Sequence, residues 1–310
     1  MEADSAEKDI IEKFPGSIAR LLKKYKTMNS EMFVFSLENL ESKGVPERVF
    51  VKHYNLATAD NVLRQFEYQL IFNERCKCEL VKAPEPFIVA PANRNLVMEY
   101  VEGKDLKHLL STPEPIHADY LGEIIDLSAI ALSEFHKMFI GKSADSFSTS
   151  IPLLGEFVET GTLYNSVAFS KCNLNMKVRP FLDFAASNLV IDKRKTRIFL
   201  VDFPEADCLL TPHIDLARFK FNLEVIKQHP QFRFLKKDWW SVDAVYSQFL
   251  DRYCAEMETK PNSYDSVFID LFEAEYARKL QEIYEAHRPN LRFIEEEIYF
   301  RGLFNSLLRK

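Results

Sequence analysis

One stretch limits the choice of fold more than any other, Arg179 to Glu205, RPFLDFAASNLVIDKRKTRIFLVDFPE. Two short β-rich runs, Leu189–Ile191 and Ile198–Val201, flank a charged turn of Asp192, Lys193, Arg194 and Lys195, a pattern that reads as a hairpin. Asp183 and Asn188 stand just before the first strand and Asp202 ends the second, so three oxygen-bearing side chains are expected to converge at one end of the hairpin. The plain alternative is a hairpin with polar ends, and the rest of the chain has to supply partners for these groups.

With 310 residues the chain can form two lobes around a substantial core. A hydrophobic content of 47% with 28% charged residues is globular, not disordered. The net charge of −6 offers no overall attraction to nucleic acid, and the basic runs at Lys23-Lys24 and Lys193–Lys195 are too short to change that. The five cysteines are odd in number and scattered, and Cys76-x-Cys78 lacks a second pair at metal-ligand spacing, which fits reduced thiols in a cytoplasmic protein better than a zinc site. The charged N-terminus has no apolar signal-like region, and no run approaches the ~20 apolar residues of a membrane span.

Along the chain, Ile10, Ile11 and Phe14 fall at helical spacing before a Pro15-Gly16 break, and Ile18–Leu22 is compatible with helix or strand. Met32–Leu37 and Arg48–Lys52 read as strands around a polar turn at Ser42–Glu47, with Lys52 at the end of the second. Val62, Phe66, Leu70 and Ile71 mark a helix from Thr58 to Asn73 that carries Glu67. Short strands follow at Phe87–Val89 and at Leu96–Gly103, LVMEYVEG. From Asp105 the chain turns helical: Asp105–Leu110, Asp119–Phe139 ending in Leu132-x-x-x-His136, a helix from Pro212 to about Gln228, then Ser241–Met257, Tyr264–His287 and Phe293–Leu308. The last of these, with eight large apolar residues and a basic end, reads as a helix packed on its own lobe, with peripheral contact to a membrane as the alternative.

Asp-x-x-x-x-Asn, a strand pair and then Asp-Phe, preceded by LVMEYVEG, resembles the protein-kinase-like fold. The resemblance is closest to its small-molecule branch, the aminoglycoside and choline phosphotransferases and the sugar kinases of lipopolysaccharide assembly. It implies an α+β chain of two lobes, an antiparallel-sheet lobe with one helix over residues 1–102 and a mostly helical lobe over 103–310. It further implies an ATP- and Mg²⁺-dependent phosphotransferase whose acceptor is a small molecule or sugar. In that family Asp183 would serve the acceptor hydroxyl, Asn188 and Asp202 would hold Mg²⁺, and Lys52 would hold the phosphates and pair with Glu67. Glu99 and Val101 would read the adenine edge, with Met98 at the back of the pocket. His136 would be structural, and Asp215 would fasten the catalytic loop from below, the plain alternative for Asp215 being a charge favoured at a helix N-terminus.

The pattern departs from the family in several places. No Gly-rich loop is present, Phe181 stands where the family usually has histidine, and Pro204 follows Asp202-Phe203 in place of glycine. Residues 140–178 resemble an insertion. No Ala-Pro-Glu ending follows Asp202, which favours a small acceptor over a protein. A catalytically inactive kinase-like module acting through a protein partner is the second reading, and nucleotidyl transfer on the same fold the third.

Overall fold

The computed structural model describes residues 2–26, 30–39, 45–55, 57–112, 115–140, 169–194, 196–204, 209–228, 238–286, 299–301 and 303. The polar turn after Leu37, most of the 140–178 stretch and most of the expected Phe293–Leu308 helix lie outside these residues.

Two compact units form, Met1–Gly103 together with Asp192–Ala206, and Lys104–Ile191 together with Asp207–Lys310. The first begins with α1 (Glu2–Lys13), which stops at the Pro15-Gly16 break, where Gly16 takes φ 80° at no steric cost. The ambiguous run that follows is a strand, β1 (Ser17–Lys26), and it leads to β2 (Ser30–Asn39) and β3 (Arg48–Tyr54). Next come α2 (Ala59–Arg75), β4 (Val81–Lys82), β5 (Pro86–Ala90) and β6 (Asn95–Glu99). Thr58 caps α2, its hydroxyl accepting from the Asn61 N–H at 3.3 Å. The five long strands form an antiparallel sheet in the order β1-β2-β3-β6-β5.

Alternation along the central strand sorts its residues between two cores. Val49 and Val51 face Phe33, Phe35, Val97 and, from α1, Ala6 and Ile10, all buried. On the other face Tyr54 joins Leu96, Met98 and Val62 of α2, with Phe50 and Phe66 packed against them. Lys52 lies between Phe50 and Tyr54 on this second face, opposite Met32 and Leu96.

The second unit is mainly helical. It holds α3 (Leu106–Ser111), α4 (Ala118–Met138), α5 (His213–Gln228), α6 (Val242–Glu256) and α7 (Ser263–Ala286), with α4 packed on α6 and α5 on α7. Asp105 and Ser241 cap α3 and α6. The chain forms β7 (Gly103–Asp105) just before α3, and β8 (Leu189–Asp192) and β9 (Ile198–Leu200) between α4 and α5. The turn after β8 closes as expected: the Asp192 N–H donates to the Arg197 carbonyl at 3.1 Å, and Asp192 Oδ1 accepts from the Thr196 and Arg197 N–H groups. β9 runs parallel to β4, pairing Ile198 with Val81, and this returns Asp192–Ala206 to the first unit.

Aromatic side chains fill the second core. Phe184, Phe219 and Phe249 meet at centroid distances of 4.2 to 5.9 Å, and Phe181, 1% exposed, joins them through Phe184 and Phe135. A phenylalanine thus fills the volume that the resemblance assigns to histidine. Trp240 is a core anchor, buried with its indole N–H on the Leu110 carbonyl at 3.2 Å. No helix among the described residues is long and apolar enough to cross a membrane.

Candidate active site

In the second unit, Phe181, Leu182 and Asp183 form a tight turn in which the Asp183 N–H donates to the Phe181 carbonyl at 2.9 Å and Leu182 adopts φ 66°. A three-residue turn with a positive central φ is its strained form, costly for a branched side chain, and it persists only where the surroundings fix it. They do so here. Asp215, fully buried, accepts the Phe181 N–H on Oδ2 and the Leu182 N–H on Oδ1, each at 2.6 Å. Its Oδ2 also meets His136 Nε2 at 3.0 Å, and His136 Nδ1 meets the Tyr253 hydroxyl at 2.8 Å. A buried carboxylate is tolerated only when its lone pairs are satisfied, and this one is satisfied from three directions.

Asp215 is the first of three side chains that α5 aims at the loop. Arg218 donates from Nε and Nη2 to Asp183 Oδ1, at 3.0 and 2.6 Å. Asn222 Oδ1 accepts the Ala186 N–H at 2.9 Å. Positions 215, 218 and 222 are spaced three and four apart and so share one helix face, while Phe219, Leu223 and Ile226 are buried in the core. Burial works against the Arg218 charge, but the Asp183 carboxylate, with Tyr276 and Asp215 behind it, outweighs that and raises its pKa above that of an ordinary arginine. The loop closes on itself through Asn188, whose Nδ2 donates to the Asp183 carbonyl at 2.9 Å and to Asp183 Oδ2 at 3.3 Å. Asp183 and Asn188 are therefore together, as their spacing suggested.

In the first unit, Lys52 on β3 forms an ion pair with Asp202. The lysine side chain is 13% exposed and the aspartate 39%. Asp202 has φ 64°, a second strained non-glycine position, and the ring of the next residue, Phe203, meets Phe72 of α2 edge-on at 5.5 Å. Met98 is buried and accepts from Gln69 Nε2 at 3.6 Å. Glu99 Oε2 accepts the Glu85 N–H at 3.2 Å, and the Val101 N–H is used by no hydrogen bond among the described residues.

The expected Lys52–Glu67 pair does not form. Glu67 is exposed on the outer side of α2, and Lys52 is held by Asp202 instead. The inward face of α2 is Val62, Gln65, Tyr68, Gln69 and Phe72. Two glutamines on that face blurred the apolar period, and Phe66 and Leu70 suggested a phase rotated from the true one. Gln65 bonds the Tyr54 hydroxyl, and Gln69 touches Met98, so the α2 groups beside the sheet are uncharged. Sequence reasoning also missed Arg218 and Asn222; the signal was present as polar residues three and seven positions after Asp215, on one helix face with it.

A second buried His–Asp pair joins His213, on the same helix as Asp215, to Asp265 of α7 at 2.9 Å. Asp265 also accepts the Asn173, Leu174 and Asn262 N–H groups, and the Cys172 sulfur lies within 4.8 Å of both side chains. Burial, with the Asp265 charge behind it, pushes the Cys172 thiol up to about 12. With the carboxylate accepting so many donors and the thiol kept protonated, the cluster reads as an anchor for the chain around residue 173.

No family model and no curated protein matches this sequence. Solved structures do. A Ralstonia eutropha JMP134 protein described as an aminoglycoside phosphotransferase aligns with a TM-score of 0.60 and 12% identity, over 99% of this chain and 96% of that one. An aminoglycoside-3′-phosphotransferase of type VIII aligns with a TM-score of 0.54 and 14% identity, over 89% of this chain and 99% of that one. An APH(2″) protein solved with GDP and kanamycin aligns with a TM-score of 0.57 and 12% identity, over 98% of each chain. At such identities the likeness is one of fold, and the fold is that of small-molecule kinases of the protein-kinase-like class.

Proposed function

We propose that this chain is an ATP-dependent phosphotransferase that moves the γ-phosphate to a hydroxyl of a small molecule or sugar. The observation that carries the reading is Asp183, a 54% exposed carboxylate on a strained turn that three side chains of one helix hold in place, in a chain with the fold of small-molecule phosphotransferases. Strain maintained by that many contacts marks a site where geometry matters more than stability. In this reading Asp183 orients the acceptor hydroxyl and takes its proton.

The residues present fit a nucleotide and Mg²⁺. Asn188 turns its amide N–H onto Asp183, which leaves its carbonyl oxygen for a cation, and Asp202 offers a part-exposed carboxylate, so both supply hard oxygen donors. When bound, Mg²⁺ would neutralise charge between the phosphates. Lys52 is a point charge on a flexible stem and can exchange Asp202 for phosphate oxygens. The Val101 N–H and the strand end at Glu99 would meet the adenine edge. Fewer than a dozen residues run from Asp202 to the start of α5, too few for the activation segment of a protein kinase, which favours a small acceptor.

One observation favours the non-catalytic reading, the absence of a carboxylate on the inner face of α2. A single experiment separates the two. Thermal-shift titration with ATP or GTP, with and without Mg²⁺, should raise the midpoint by mass action, and Mg²⁺-dependent turnover with a panel of hydroxylated acceptors should follow. Nucleotide binding with no transfer to any acceptor or to water would leave a nucleotide-binding scaffold, and no shift at all would end the kinase reading.

A further inference from the structure

The sheet face that carries Lys52 continues across β2 to the edge strand β1, and the register fixes which side chains stand there. Lys52 pairs with Met32 and Phe50 with Val34, so Met32, Val34 and Ser36 share its face. β1 meets β2 through a bulge: Leu21 pairs with Phe35, Lys23 pairs with Val34, and Leu22 is the extra residue. A bulge re-aims the side chains beyond it. Lys23 and Tyr25 therefore stand on the Lys52 face, and Lys24 and Lys26 on the opposite one. The ion pairs agree with this assignment. Lys24 lies over the Phe33 ring, and Lys24 and Lys26 both pair with Glu31, at 2.8 and 3.3 Å. Arg20, on the Lys52 face, pairs with Glu38 at 3.3 Å. Lys23 is exposed and has no ion pair among the described residues.

We propose that Lys23 is a second phosphate-binding cation, which together with Lys52 holds the di- or triphosphate of a bound nucleotide on the open sheet face. The inference rests on the phosphotransferase reading and adds a residue that the sequence pattern did not assign. Lys23 and Lys52 stand two strands apart, ~10 Å, and two residues apart along the sheet, ~7 Å. Two long side chains at that separation reach a chain of phosphates from either side without crowding each other. Each ammonium is a compact point charge with three rotatable donors, suited to phosphate oxygens. The sequence supplies a reason for a side chain in this role. No glycine lies between Gly16 and Gly44, so β1, β2 and the residues that join them lack the glycines with which a backbone closes over phosphates. A lysine on an edge strand also deters pairing with another chain, but that duty is served from either face and carries no preference for phosphate.

The test measures binding of ATP, ADP and adenosine to the full chain with Mg²⁺, by calorimetry or thermal shift, and compares Lys23→Met, Lys23→Gln and Lys24→Met. The last of these removes the same charge from the neighbouring residue on the opposite face. Either Lys23 variant should weaken ATP about tenfold and ADP somewhat less, with adenosine within about twofold of wild type. Lys24→Met should leave all three within about twofold. Raising the salt from about 0.05 to 0.3 M should narrow the gap between wild type and Lys23→Met, because exposed charges are screened. Equal weakening of ATP by Lys23→Met and Lys24→Met would reduce the effect to surface charge, and a loss for adenosine as large as that for ATP would reduce it to damage to the sheet. Either result overturns the proposal. If one Lys23 variant does not fold, the other decides. A wild type that binds no nucleotide ends the phosphotransferase reading and the inference with it, whereas equal affinity of wild type and Lys23→Met for ATP ends only the inference.

Discussion

Each unit contains one cation–carboxylate pair among the candidate residues, and the two are built differently. In the first unit a lysine ammonium, 13% exposed, holds Asp202; in the second a forked arginine, 20% exposed, holds Asp183. Both aspartates follow or occupy a strained backbone position, at Leu182 and Asp202. The lysine is a rotatable point charge at the tip of a flexible chain, suited to a carboxylate that must be given up to another cation. The arginine is a planar fork that lies over the Tyr276 ring, suited to a carboxylate that must stay in one orientation. On the proposed function, the choice of cation would follow the task of its partner: release for Asp202, aim for Asp183.

The largest expected effects break the carboxylates themselves. Asp183→Asn should lower kcat by about 10²–10⁴-fold with nucleotide binding intact, while Asp202→Ala should abolish the Mg²⁺-dependent part of the ATP thermal shift. Steady-state kinetics and thermal shift, run side by side, check the split. A sharper version exchanges the cations. Lys52→Arg should lower kcat/KM for ATP by roughly 10–100-fold although the charge is kept, because a fork that stays on Asp202 competes with the metal. Equal tolerance of arginine at 52 and lysine at 218 would dissolve the distinction between the two pairs.

The support beneath Asp183 should break next. His136→Ala removes a partner of the fully buried Asp215, and losing one side of a buried pair typically costs about 3–5 kcal/mol, readable as a lower urea midpoint. The His213–Asp265 pair, outside the two cation–carboxylate pairs, provides a reference. Burial opposes the Asp265 charge, but His213 and the Asn262 and Leu174 N–H groups outweigh it and hold its carboxyl below the usual aspartate value. A carboxyl depressed by folding contributes stability that is complete above its unfolded pKa, about 3.9, and is lost as pH falls through the lower folded value. Urea midpoints of wild type and Asp265→Asn should therefore converge only below about pH 4. The smallest effect belongs to Glu67→Gln. An exposed side chain outside both pairs should change stability by no more than about 0.5 kcal/mol and leave turnover nearly unchanged.

Much of the fold was legible because its elements follow strong local rules. The strands around Phe33, Val51 and Val97 are apolar, β-rich runs bounded by polar residues, and helices α2, α3 and α6 are capped by Thr58, Asp105 and Ser241, the residues at which the sequence starts them. Asp183 and Asn188 were legible as a pair because they are close in the chain, so a single turn decides their contact. The α2 partner of Lys52 was misread because helical phase was inferred from apolar residues, and the buried face uses Gln65 and Gln69. Arg218 was invisible as a site residue because its target lies 35 positions away.

The sequence by itself therefore determined most of the strands and helices, the hairpin, and which residue types could serve phosphoryl transfer, since these depend on periodicity, capping and spacing over a few residues. Only the tertiary structure decided which charges meet. The parallel pairing of β9 with β4 carries Asp202 back to the first unit beside Lys52, and the single helix face of 215, 218 and 222 holds the loop around Asp183. Such choices follow from how elements distant in the chain pack together, and long-range packing leaves only a faint trace in local pattern.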